Sequence, residues 1–270
     1  MVNDMYIKKF LKSLILPLLF LLSNFILMIV FSFIYAFIRY SKLAKTYDGI
    51  TLEKKYNSLI NSNSFTIDLS NFLNDYSLLI VLLSFIIFLP ILIKKYKSFK
   101  IIKNDIPKSS YFKAILLGIS FALFLNIIFY LLKVNPEPNK FLFTYLISTG
   151  ILGPILEEYI FRGYLYNKLK SFNKIKTSII LTSLVFALFH VNLIQILYAF
   201  IFGIILNIIY EKYQSLKLTI IIHISANVII SLIYSYIILN NILVFLILII
   251  SLSILLLTFK SLYTFSKEKG

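Results

Sequence analysis

The chain has 270 residues, of which 60% are hydrophobic and 17% aromatic, with a formal net charge of +16 and a mean hydropathy of +0.91. Soluble domains hold about 45–50% apolar residues, so this composition excludes an ordinary soluble fold and points to an all-α, polytopic membrane helix bundle. Cysteine is absent, which excludes disulfides, thiolate metal ligands and a cysteine nucleophile.

Several uncharged runs reach the ~20 residues needed to cross ~30 Å of hydrocarbon. About eight spans are expected, in a single membrane domain covering 1–270. Lys8, Lys9 and Lys12 precede the first run, Ser13 to Ile38. That run is too long for the apolar core of a signal peptide and shows no small-residue cleavage site before Arg39, so it reads as a retained span. Residues 39–75 are the longest polar stretch, with room for a short surface helix. The second span is Tyr76 to Ile93, followed by a lysine-rich segment that reads as a solvated loop at an anionic leaflet. The third is Ala114 to Leu132, and Asn135-Pro136-Glu137-Pro138-Asn139 is a turn. The fourth starts at Phe141 and ends near Leu169. The fifth covers Thr177 to Val191, the sixth Leu193 to Tyr210, the seventh Leu218 to Leu239 and the eighth Ile242 to Phe259.

The basic residues flank these runs, so topology accounts for the positive charge and no nucleic-acid partner is expected; the partner is the lipid bilayer. Lys and Arg are concentrated on one side when both termini are placed in the cytoplasm. The Ile-, Asn- and Lys-rich composition suits an AT-rich genome and hence a bacterial cell membrane. In this orientation Glu157 lies about 25 Å along its helix from Lys140, and His223 about 9 Å from Lys217. Both then sit just inside the cytoplasmic face. His190, counted from Lys176, is about 21 Å deep. The fifth segment is therefore expected to begin outside the lipid or to end part-way across.

Ionisable groups in hydrocarbon are costly and face a bundle interior or a wet cavity. Among the acidic residues only Glu157 and Glu158 lie against membrane-type sequence, and the two histidines, His190 and His223, fall in later apolar segments. Glu158 and Arg162 are i,i+4 neighbours in the favourable order, acid first. Glu157 is rotated about 100° away, so it does not share that arginine. One carboxylate is thus expected to be structurally paired and the other free to hold water, the setting of a general base. His223 and Asn227 share one helix face. A purely architectural reading makes the Glu-Arg pair and the His-Asn face interhelical clamps. It leaves unexplained why every histidine and every intramembrane acid falls in three spans.

Gly153-Pro154-Ile155-Leu156-Glu157-Glu158, with Phe161-Arg162-Gly163 after it, resembles the Glu-Glu-x-x-x-Arg motif of the CPBP family, the CAAX proteases and bacteriocin-processing enzymes also called the Abi family. Phe186-x-x-x-His190 is similar to its second motif and His223-x-x-x-Asn227 to its third, in the same order, with Gly203 between. The resemblance covers roughly residues 110–235, the expected catalytic core. It implies an intramembrane endopeptidase related to the type II CAAX prenyl endopeptidases. By the resemblance Glu157 activates water with His190, His223 and Asn227 stabilise the oxyanion, and Glu158 and Arg162 support the site.

Two chemistries stay open for these residues. Glu157, His190 and His223 can form a three-ligand zinc site with water in the fourth position, or act without metal as base and oxyanion donors. Asn227 favours the metal-free form, being a poor zinc ligand and a good donor, and the helical signature His-Glu-x-x-His is absent. The expected substrate is a peptide or membrane protein, cut in a C-terminal tail or a membrane-embedded segment. The alternative is a non-proteolytic membrane protein of the same fold, acting in bacteriocin self-immunity or signalling. A transporter using the acids and histidines as a proton relay is less favoured, because no inverted repeat is visible.

Overall fold

The computed structural model describes residues 2–99, 105–133, 143–190, 192–233 and 241–264. Every regular element among them is helical: α1 (Val2–Leu43), α2 (Gly49–Ile60), α3 (Asn63–Asp75), α4 (Ser77–Ser98), α5 (Lys108–Leu131), α6 (Phe143–Tyr145), α7 (Gly153–Glu158), α8 (Asn167–Lys170), α9 (Ile175–Leu188), α10 (Leu193–Tyr213), α11 (Leu216–Ile233) and α12 (Asn241–Thr264). Two π-helical stretches, Leu146–Leu152 and Tyr159–Tyr166, join α6 to α7 and α7 to α8. Residues 143–170 thus form one continuous composite helix. An all-α polytopic bundle is what the composition predicts, because a backbone in lipid must satisfy its own polar groups.

Five described helices, α1, α4, α5, α10 and α12, are long and apolar enough to cross a membrane, while α9 and α11 are shorter. Among the described residues five helices thus have the length and composition of a crossing, against the eight crossings expected from the sequence. The fifth expected span stops at Leu188 instead of Val191; its 14 residues rise about 21 Å, less than the hydrocarbon thickness. Helices elsewhere run past the expected ends. The second continues through Lys94, Lys95 and Lys97 to Ser98, its basic last turns facing the negative end of the helix dipole. The third begins at Lys108, directly after Pro107. The polar stretch 39–75 holds two helices rather than one, α2 and α3. The Ser62 hydroxyl caps α3 by accepting from the Phe65 N–H at 3.2 Å. Tyr35 of α1 packs on Phe65 and Phe72 with ring centroids 5.4 and 5.1 Å apart, and holds α3 against α1. The expected turn at 135–139 and the end of the seventh span at Leu239 lie outside the described residues.

The core surrounds the composite helix. Leu156, Ile160, Phe161 and Leu165 are buried there among Leu117 and Phe121 of α5, Phe186 of α9, Leu206 of α10 and Ile222 of α11. Phe121 stacks on Phe202 at 4.5 Å. On α5, Gly118 lies so near α11 that a Cβ on it would stand 2.3 Å from the Ile222 carbonyl oxygen and 2.8 Å from Ser225 Cβ. Such close backbone approach is how small residues let helices associate in lipid. Here it fixes the helix that carries His223 and Asn227.

Candidate active site

Pro154 stands at the start of α7. It has no N–H to donate, and its ring crowds the carbonyl one turn back, at Gly150, so a regular α-helix cannot run through it. The π-helical stretch before it widens the turn there. A second wide stretch follows Glu158, and the Asn167 carboxamide donates to the Arg162 and Gly163 carbonyls inside it, at 2.9 and 3.0 Å. Insertions of this kind often mark functional sites. Between them, α7 presents Glu157 and Glu158 in ordinary α-helical geometry on different faces.

Glu158 and Arg162 are fully buried, and Arg162 Nη1 donates to Glu158 Oε1 at 2.8 Å. A second guanidinium nitrogen, Nη2, donates to the Gly203 carbonyl at 3.3 Å, and the guanidinium lies 4.6 Å from the Phe186 ring centroid. A Cβ on Gly203 would meet Ser183 Cα and Cβ at 3.1 Å and Phe186 Cδ1 at 3.2 Å. A side chain there would push these atoms back by a few tenths of an ångström, so glycine helps α10 close onto α9 far enough for its carbonyl to reach the arginine. The Glu157 side chain, by contrast, is 29% exposed. Glu158 is thus paired with Arg162, as the i,i+4 spacing predicts, while Glu157 lies on the cavity side.

His223 of α11 stands between the two carboxylates. Its Nδ1–H donates to Glu158 Oε1 at 2.8 Å, and its Nε2 is 3.7 Å from Glu157 Oε2. The first is a charge-assisted hydrogen bond that fixes the ring. The second exceeds hydrogen-bond length, so Glu157 is not consumed by the histidine. One turn on, Asn227 Nδ2 donates to the Thr149 carbonyl at 3.1 Å, leaving its second N–H uncommitted. His190 lies just past the end of α9. Its backbone N–H donates to the Ala187 carbonyl at 3.0 Å, and its Nδ1 is 3.0 Å from the Phe186 carbonyl. With Nδ1–H given to that carbonyl, Nε2 is the free ring nitrogen. Phe186 links the three motifs, with its ring edge-on to His190 at 5.2 Å and to His223 at 5.8 Å.

Glu157, His190, His223 and Asn227 all line one cavity of about 610 Å³. Glu158 and Arg162 lie behind its wall. The same cavity is bounded by Phe20 and Asn24 of α1 and by Val81 and Ser84 of α4. Sequence reasoning missed this wall because neither helix carries a motif. The one available signal was a polar residue, Asn24 or Ser84, inside each apolar run. Gln195, Tyr198 and Phe202 of α10 complete the lining together with Thr149.

Among the described residues no three His, Asp or Glu side chains are gathered closely enough to hold a metal ion. The zinc set Glu157, His190 and His223 is not gathered into such a group in this arrangement.

Fold and site together define a polytopic helical membrane protein whose acids and histidines meet at a cavity between its helices. Residues 138–229 match the family model described as type II CAAX prenyl endopeptidase Rce1-like, and the match supports a protease of the CAAX type. All six motif residues fall inside that stretch, whereas α1 to α5 and α12 fall outside it. Neither the curated proteins nor the solved structures gave a match.

Proposed function

We propose that the chain is an intramembrane endopeptidase that hydrolyses peptide bonds of membrane-associated or C-terminal-tail substrates. One observation carries the reading. His223 is held by buried Glu158 with its second nitrogen 3.7 Å from the more exposed Glu157, and both line a cavity that also receives His190 and Asn227. Glu157 accepts a proton from water as the water oxygen attacks the substrate carbonyl carbon. His190 Nε2 orients that water. The carbonyl oxygen becomes an oxyanion, which accepts from Asn227 Nδ2–H and from His223 Nε2–H when the ring is doubly protonated. Collapse of the tetrahedral intermediate breaks the C–N bond, and Glu157 returns the proton to the leaving amine. Glu158 and Arg162 hold His223 and the composite helix in place. The distribution of Lys and Arg supports both termini on the cytoplasmic side.

Cleavage of a synthetic peptide library by detergent-purified protein tests this. Wild type is expected to cut and Glu157→Gln to fail, with unchanged melting. Asn227→Ala is expected to lower kcat about 10²–10³-fold, the typical cost of one oxyanion donor. Cleavage by Glu157→Gln at the wild-type rate would sink the mechanism.

A further inference from the structure

The proposed hydrolytic group occupies one part of the cavity wall. Other polar side chains there have no part in the reaction, and most are already spent. Ser84 Oγ–H donates to Asn24 Oδ1 at 2.7 Å, and Asn24 Nδ2 donates to the Phe20 carbonyl at 3.0 Å. Ser231 Oγ–H donates to the Asn227 carbonyl at 2.8 Å. Gln195 differs. Its backbone N–H donates to Asn192 Oδ1 at 3.3 Å, but its carboxamide makes no hydrogen bond within the described residues while lining the cavity.

A half-buried amide between Leu193, Ile194, Ile196 and Leu197 is unfavourable in an apolar setting unless something pairs with it. An extended peptide drawn into a cavity within the bilayer brings the complementary need, because its N–H and C=O groups must be paired there. A carboxamide donates and accepts at once, as a peptide unit does. The position of this one is fixed. Asn192 caps α10 by accepting from Ile194 N–H at 2.9 Å and from Gln195 N–H, just after His190 in the chain.

We propose that Gln195 is a positioning residue that hydrogen-bonds one backbone peptide unit of an extended substrate segment, beside the scissile bond and not at it. The ligand class is polypeptide backbone, so the contact is blind to side-chain sequence. The inference rests on the endopeptidase reading.

The test is steady-state cleavage by the full chain in detergent. The probes are the best-cleaved library peptide and derivatives in which single peptide bonds away from the cut are replaced by esters. Gln195→Leu is expected to raise KM about ten-fold with kcat little changed, as the loss of one hydrogen bond predicts. In wild type one ester position should cost a similar factor, and in Gln195→Leu that position should cost nothing. Equal KM values, or the same ester profile in both proteins, overturn the assignment. Should Gln195→Leu melt well below wild type, Gln195→Met gives the same reading with an unbranched side chain. Cleavage that needs Glu157 but ignores Gln195 overturns this inference alone. No cleavage of any peptide by wild type overturns the endopeptidase reading and this inference with it.

Discussion

Replacing Arg162 by alanine tests the architecture beneath the site. In the folded protein Glu158 and Arg162 are both fully buried and joined at 2.8 Å. Removing the guanidinium strands a buried carboxylate and also deletes the contacts to the Gly203 carbonyl and the Phe186 ring. Breaking a buried pair from one side costs about 3–5 kcal/mol. His223 remains on the same carboxylate oxygen at 2.8 Å, so the loss should fall near the lower end, about 3 kcal/mol. Thermal unfolding in detergent, followed by circular dichroism alongside size-exclusion chromatography, reads the effect. The double variant Arg162→Met with Glu158→Gln removes both charges, and it should recover most of the lost stability because nothing ionic is left unpaired. An Arg162→Ala protein that expresses and melts like wild type would refute the reasoning. So would a double variant as unstable as the single.

Two further outcomes follow from the geometry. Gly118→Ala places a methyl group 2.3 Å from the Ile222 carbonyl oxygen, and forcing α11 outward should cost about 1–3 kcal/mol. Peptide cleavage should fall more than stability does, since His223 and Asn227 ride on that helix; full activity in a well-folded Gly118→Ala protein would contradict the tight packing. Chelator treatment followed by dialysis should leave peptide cleavage intact, because Glu157, His190 and His223 do not gather into a metal-holding group. Activity lost on chelation and restored by zinc would reverse that reading.

The different placement of the two glutamates was legible in the sequence because helical spacing is a local property. Glu158 and Arg162 one turn apart must share a face, and Glu157 must point elsewhere, whatever the rest of the chain does. The boundaries were less legible. Apolar composition says that α9 lies in lipid, but it does not say that the helix ends at Leu188 and leaves His190 to curl back on the Ala187 carbonyl. The π-helical turns on either side of α7 were hidden as well, since only the glycine and proline at 150, 153 and 154 hinted at them.

By itself the sequence determined the helical membrane class, the three motif segments and the pairing of Glu158 with Arg162, because these depend on composition and on contacts within one helix. The tertiary structure decided the rest. It placed His223 between the two carboxylates, brought the Gly203 carbonyl and the Phe186 ring to Arg162, and closed the cavity with α1 and α4, which carry no motif. Those contacts join residues far apart in the chain, and their distances depend on how closely helices approach at Gly118 and Gly203, which no periodicity along a single helix encodes.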